Sequence, residues 1–343
     1  MMFRGYLQTG QATCHDTTGR EISCAGSGQD AEYKKGVPWP QPRFGQMGAV
    51  VLDRLTGLVW TQNANLAEFP LAWQEALEFI ADMNRNGVLG FADWRLPNRR
   101  ELRSLMSHRT RKPALPESHP FTNVFLGWYW TSTTAAINTA YAWYIHMEGA
   151  RMFYGGKEQL FLLWPVRSQG YGIIPVTGQR QCYDAKGKVI PCTGSRQDGE
   201  FQFGQPWPEK RFEVEGNAVT DNLTGLCWLR AANLTKEKVT WSDALKSAFE
   251  LNVNSERKME WRLPNINELE TLVDSSTHSP ALPRGHPFED VQEGYWSSTT
   301  SMFEPDWAWA LYLTKGAIGV GQKWGGHFHV WPVCDVTVAD AER

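Results

Sequence analysis

Hydrophobic and polar positions change period several times along the first half of the chain. Two short apolar runs bounded by Gly and Pro come first and read as strands with turns. Trp73, Ala76, Leu77, Ile80 and Met83 then recur at helical spacing. After the string WRLPN at Trp94, Asn98 and Glu101 stand three residues apart, the spacing of an N-cap and its reciprocal partner. Leu102, Leu105 and Met106 supply the apolar stripe of that second helix. Beyond HPF at His119 the pattern reads as strands and long loops, ending in a WPV strand at Trp164. Strands, two helices and strands again predict an α+β domain with a mostly antiparallel sheet.

The whole order then repeats. TGQATCHDTTGREISCAGSGQD from Thr9 returns as TGQRQCYDAKGKVIPCTGSRQD from Thr177. WRLPN at Trp94 returns at Trp261, ALPESHPF at Ala114 as ALPRGHPF at Ala281, and YWTSTT at Tyr129 as YWSSTT at Tyr295. The second set of helices carries Trp241, Ala244, Leu245 and Ala248, then Asn265 with Glu268 and the stripe Leu269, Leu272 and Val273. Repeats of this length are whole domains. The expected division of the 343 residues is 1–168, a linker 169–175 with Gly and Pro punctuation, and 176–343.

Fourteen of the 17 tryptophans form seven repeat pairs: 39/207, 60/228, 73/241, 94/261, 130/296, 143/309 and 164/331. A ring kept at the same place twice is expected to hold the shared core. Trp128, Trp307 and Trp324 have no counterpart, fall in or beside long loops, and are candidates for stacking on a ligand.

The six cysteines divide similarly. Cys14 with Cys24, and Cys182 with Cys192, each span a short turn, which predicts one hairpin disulfide per repeat and an oxidising compartment. Cys227 replaces Val59 and Cys334 replaces Arg167, so a third bridge between these two is a further expectation, against the alternative of buried free thiols. The opening MMFRGYLQTG carries no apolar export segment. The duplicated Cys pairs nonetheless favour a mature or trimmed extracytoplasmic chain.

Composition removes several classes. The net charge of −3 does not suit a generic nucleic-acid binder, and no stretch approaches the length of a membrane-spanning helix. Aromatics at 13% exclude wholesale disorder. The charge is unevenly spread, however. Residues 1–168 carry 17 basic and 14 acidic side chains, and 169–343 carry 17 and 23. The excess sits after the first WRLPN, at Arg99, Arg100, Arg103, Arg109, Arg111 and Lys112. Arginine in a first helical turn opposes the helix dipole, so these residues are candidates for an anionic ligand. A solvated face, or an acidic surface of another domain, would account for them equally.

WRLPN, YW[ST]STT and WPV, with the leading TGQxxCxDxxGxxxxC, resemble the Lcl C-terminal domain family, named after the tail of a bacterial collagen-like adhesin. WRLP followed by a helix is also similar to formylglycine-generating-enzyme and C-type-lectin-like domains. The resemblance implies tandem C-type-lectin-like α+β domains, a surface location, and adhesion or binding to polysaccharide or another anionic surface polymer. Assembly through a protein partner or self-association is the rival expectation. The enzyme resemblance would need a reactive cysteine site late in the domain, and the first repeat has no Cys after Cys24. No phosphate loop, metalloprotease motif or nucleophile elbow occurs, so a non-enzymatic chain without cofactor is expected. His119 and His286 are duplicated and read as structural. Glu304 and Asp306 are a thin calcium candidate, since two carboxylates fall far short of six oxygens. His327 and His329 share one face of a probable strand where the first repeat has Leu160 and Leu162.

Overall fold

A computed structural model describes residues 5–253 and 260–335. It is a mixed α/β chain with mostly antiparallel sheets and, among the described residues, six α-helices. The chain divides into two compact units.

One unit comprises residues 38–206 and 274–277. Its four-stranded sheet runs in the order Phe44–Met47, Val50–Asp53, Val59–Thr61 and Val166–Arg167, so the last strand returns beside the third. A second antiparallel ribbon joins Trp128–Thr134, Tyr141–His146 and Met152–Gly156, with an irregularity between Trp130 and Thr134. The helix Trp73–Arg85 lays Trp73, Ala76, Leu77, Ile80 and Met83 into a core shared with Trp94, Trp130 and Leu163. Indole N–H groups in this core find backbone acceptors, Trp73 at Thr131 (2.8 Å), Trp130 at Leu71 (2.8 Å) and Trp164 at Thr61 (3.0 Å). Each bond removes the penalty of burying a lone donor, so one ring both fills volume and fixes a loop.

The other unit comprises residues 1–37, 207–273 and 278–343. Its sheet orders Phe212–Glu215, Ala218–Asp221, Leu226–Leu229 and Val333–Asp335 in the same way. Its ribbon joins Gly294–Thr300, Trp307–Tyr312 and Ala317–Gln322. Trp241 and Trp296 donate to Ser297 (2.7 Å) and Val239 (2.8 Å), reproducing the first core. Both short helices after WRLPN carry the expected box. Asn98 accepts from Glu101 N while Glu101 accepts from Asn98 N, and Asn265 with Glu268 do the same. Of the seven tryptophan pairs, six are buried, and Trp39 and Trp207 lie half-buried against Arg43 and Arg211.

The units do not follow the repeat boundary expected near residue 168. Each disulfide hairpin groups with the body of the other repeat: residues 1–37 with 207–273 and 278–343, and 176–206 with 38–175 and 274–277. The bridges Cys14–Cys24 and Cys182–Cys192 are present, as the spacing predicts. The segment expected as a linker is also fastened down. Tyr171 N donates to Thr56 O at 2.7 Å, and its ring leaves so little room that a Cβ on Gly57 would meet it at 2.6 Å. Gly57 also has a φ of +74°, so glycine is required twice over there.

The third bridge is not formed. Cys227 and Cys334 are buried free thiols, although the Leu226–Leu229 and Val333–Asp335 strands set them directly opposite one another.

Candidate functional site

A cleft of about 590 Å³ opens on the unit that holds the second repeat's body. Trp307, Tyr312, His327 and Phe328 give it aromatic walls. Lys238, Glu293, Thr314, Lys315 and Gln322 give it a polar rim, and Gly294 and Gly321 contribute backbone without side chains.

The matched positions of the two units carry different side chains beside the cleft. In the other unit the ring of Trp128 packs against Tyr144 (4.8 Å between centroids), His146 (4.5 Å), Phe153 (5.7 Å) and Phe161 (6.3 Å). The strand registers give each of these a counterpart. Trp128 pairs with His146 as Gly294 pairs with Tyr312, and Tyr144 pairs with Phe153 as Ala310 pairs with Gly319. Phe161 and Phe328 make equivalent bridges to Leu71 and Val239. Trp128, Tyr144 and Phe153 thus correspond to Gly294, Ala310 and Gly319, and neighbouring rings take up part of the difference: a Cβ on Gly294 would meet Phe328 at 2.9 Å and one on Gly319 would meet Tyr312 at 2.7 Å. What remains is Phe328, packed on Trp296 (4.7 Å) and Tyr312 (5.2 Å), with the Tyr312 hydroxyl donating to Val320 O at 3.2 Å. Burial raises the Tyr312 phenol above its ordinary value, so it stays a neutral donor.

On the rim the Lys238 ammonium pairs with the Glu293 carboxylate and holds it below the usual carboxylate range. Trp307 is half-buried, and Lys315 and His327 are exposed. His327 and His329 do not lie in a strand; His329, joined to Tyr295 only by an isolated bridge, is buried and bonds Asn233 Oδ1 through Nδ1 at 3.0 Å, while burial lowers its pKa. The two histidines thus do not act together.

The remaining candidates are placed as follows. Trp128 is the plug just described, and Trp324 is 64% exposed and does not line the cleft. The basic run divides in two. All six residues of the Arg99–Ser104 helix are buried. Arg99, 1% exposed, lies over the Trp143 ring at 4.1 Å, and Arg103 donates to Ala150 O at 3.1 Å. Arg100 is buried with them, so this helix does not offer a solvated cationic face. The reason is packing: the Trp143 ring takes the Arg99 guanidinium and the Ala150 carbonyl accepts from Arg103, so these charges are spent inside the unit. Arg109, Arg111 and Lys112 are exposed in the following loop, where Arg109 pairs with Glu117 (3.6 Å) and Lys112 with Glu148 (2.7 Å). Glu304 and Asp306 sit in the turn before Trp307, and among the described residues no group of three His, Cys, Asp or Glu side chains gathers to hold a metal. His119 and His286 stack on Phe121 and Phe288 at 5.9 Å, and burial lowers both pKa values.

Two further pairs of polar residues seat the hairpins. Lys323 lies over Trp241 at 4.2 Å and donates to the carbonyls of His15 (3.0 Å) and Asp16 (3.3 Å); Lys157 lies over Trp73 and donates to Tyr183 and Asp184 carbonyls in the same way. Burial pulls both ammonium groups down to about 7. Asp30 accepts from Thr9 and Thr299, and Asp198 from Thr177 and Thr133, all at 2.7 Å. Burial pushes these two carboxyls up to about 6. Their duplication between repeats is the signal by which the sequence could have marked them.

The fold is a disulfide-stapled, repeated α/β body with an aromatic-walled cleft. The Lcl C-terminal domain model matches residues 49–167 and again 217–334. The chain belongs to that family, with two copies in tandem, which suggests a surface or adhesin-like protein. The disulfides fit an extracytoplasmic setting, and no helix among the described residues is long and apolar enough to cross a membrane. No curated protein matches the chain.

Proposed function

We propose that the chain is a non-enzymatic surface protein that binds glycans through its second repeat, on a C-type-lectin-like body. The observation that carries this reading is the contrast at one matched position. Trp128 sits in a packed aromatic cluster in one unit, and at the matched position of the other Gly294 lies under Phe328 at a cleft with aromatic walls and a polar rim. Sites for small polyhydroxylated ligands combine apolar surface with a few placed polar groups, and a cleft of this volume falls in the usual ligand range of about 300–1,000 Å³. The exposed loop of Arg109, Arg111 and Lys112 supplies a separate attraction for anionic polymer. Fold likeness alone would not name a ligand, so the cleft carries the reading.

The test is retention of the intact chain on neutral and sulfated polysaccharide columns across a salt gradient. Trp307→Ala is expected to lower retention at all salt concentrations. Arg111→Ala with Lys112→Ala is expected to lower only the salt-sensitive part. Failure of the intact chain to bind any polysaccharide would overturn the reading in favour of a protein partner.

A further inference from the structure

We infer that the unit holding the first repeat's body pairs with the same unit of a second copy of the chain, through an exposed apolar face around Trp128. Phe125 (53% exposed), Leu126 (46%), Phe153 (45%) and Leu160 (60%) stand in solvent there. Phe153 packs on Trp128 at 5.7 Å between ring centroids, and Trp128 lies two residues after Leu126. Leu160 comes alongside through the bonds of its neighbour: Leu162 N donates to Trp128 O at 2.9 Å and Leu162 O accepts from Trp130 N at 2.8 Å. With the half-buried Trp128 these side chains make an apolar surface of roughly a few hundred Å², the size of the largest patch on an ordinary monomer, and such patches mark contact sites. The other unit shows that the framework does not require it. Phe125 N and Gln292 N each donate to a tyrosine hydroxyl, Tyr129 and Tyr295, so Phe125 corresponds to Gln292. The bridges of Leu162 and His329 match Leu160 with His327, and the strand registers match Phe153 with Gly319.

Two features select a second copy as the occupant. The matched positions make this face apolar in one unit and polar or bare in the other, so a two-fold contact covers it on both partners and closes at a dimer. The rim, moreover, carries both signs. Met147 N donates to Gly127 O and Gly149 N to Arg111 O, both at 3.0 Å, which brings the basic loop beside Leu126. There Arg109 lies 3.6 Å from Glu117 and Lys112 2.7 Å from Glu148, and Glu158 is exposed two residues before Leu160. Mixed charge meets its own copy attractively across a two-fold axis, whereas an anionic bilayer would face the carboxylates. A standard interface takes about 800 Å² from each partner, about two-thirds of it apolar in homodimers, so the patch supplies an apolar core and the charged loop a rim.

The experiment is sedimentation velocity with light scattering on the full chain, from micromolar to submillimolar concentration. The expected result is a reversible equilibrium between monomer and dimer. Phe125→Gln with Leu160→His installs the second repeat's own residues and should weaken dimerisation at least about tenfold, as loss of central apolar contacts does. Unchanged thermal unfolding of this double variant confirms that the loss is local. Phe249→Gln, at a phenylalanine 64% exposed on the other unit, should leave the equilibrium unmoved. A chain that stays monomeric at the highest concentration overturns the proposal. So does a dimer that the double variant leaves intact, one that Phe249→Gln weakens equally, or growth past the dimer. Binding of a monomeric chain to vesicles of phosphatidylcholine with phosphatidylglycerol, lost in the double variant, replaces the second copy by a lipid surface and overturns it as well.

Discussion

At the head of the Trp128–Thr134 strand a tryptophan ring is wedged among Tyr144, His146, Phe153 and Phe161; at the head of the Gly294–Thr300 strand there is no side chain at all. The surrounding framework is the same in both units, down to the indole bonds of Trp73 and Trp241 to the facing strand. Duplication has thus left one place with two fates. In one the aromatic residues spend their surface on each other, and in the other the surviving rings face a space large enough for a ligand. One matched position can thus be packed in two ways, by its own ring in one unit and by Phe328 over a bare backbone in the other.

The most severe way to break the comparison is to strike what the units share. Arg43 and Asp53 are buried and make two parallel bonds, as do Arg211 and Asp221. Asp53→Ala and Asp221→Ala should each cost about 3–5 kcal/mol, because each leaves a buried guanidinium without its counter-charge. Urea unfolding that gives widely different costs would show the frameworks to be energetically unlike.

Hairpin seating should respond to pH in a particular sense. Asp30 and Asp198, at about 6 when folded against an ordinary 3.8, hold their protons more tightly in the folded chain. Their contribution is complete below pH 3.8 and is lost as pH rises through 6, on the order of 3 kcal/mol for each. Lys157 and Lys323, lowered to about 7 from 10.5, contribute stability that is complete above 10.5 and is lost as pH falls through 7. The four groups together place a stability minimum between about pH 6 and 7. Melting curves of Asp30→Asn with Asp198→Asn should lose the acid limb, and Lys157→Met with Lys323→Met the alkaline one.

Trp128→Ala removes a half-buried ring from a packed cluster and should cost about 2–3 kcal/mol, near the lower end for such truncations. Trp307→Ala should cost less than about 1 kcal/mol, since its ring borders open space. Equal costs in chemical unfolding would mean that Trp307 is packed as Trp128 is. The smallest effect distinguishes Cys227 and Cys334, which have no thiol counterparts in the first repeat. A disulfide-exchange reagent such as oxidised glutathione should join them with loss of two hydrogens, detectable by mass, since the paired strands already set them face to face.

Much of the framework was legible because it depends on local chemistry. The box of Asn98 and Glu101, the stripe of the Trp73–Arg85 helix and the two hairpin disulfides each involve residues a few positions apart. The partnership of each hairpin was not legible, because the strings of the two repeats share the residues that make the seat, so either seat looks equally good on paper. Arg99, Arg100 and Arg103 read as a cationic face because charge normally implies solvent, whereas Trp143 gives Arg99 a buried ring to lie on. The lack of a second-repeat partner for Trp128 was visible in the sequence. It drew attention to the ring, while the cleft borders the matched residue Gly294.

The hairpin arrangement has a consequence for how such a protein can be taken apart. Cutting at the repeat boundary near residue 168 would strand residues 1–37 from their seat and leave the body of residues 38–167 without the hairpin of residues 176–206. Neither product would be a finished domain. A fragment cut there keeps its fold only by seating its own hairpin on its own body, an arrangement different from the one seen here.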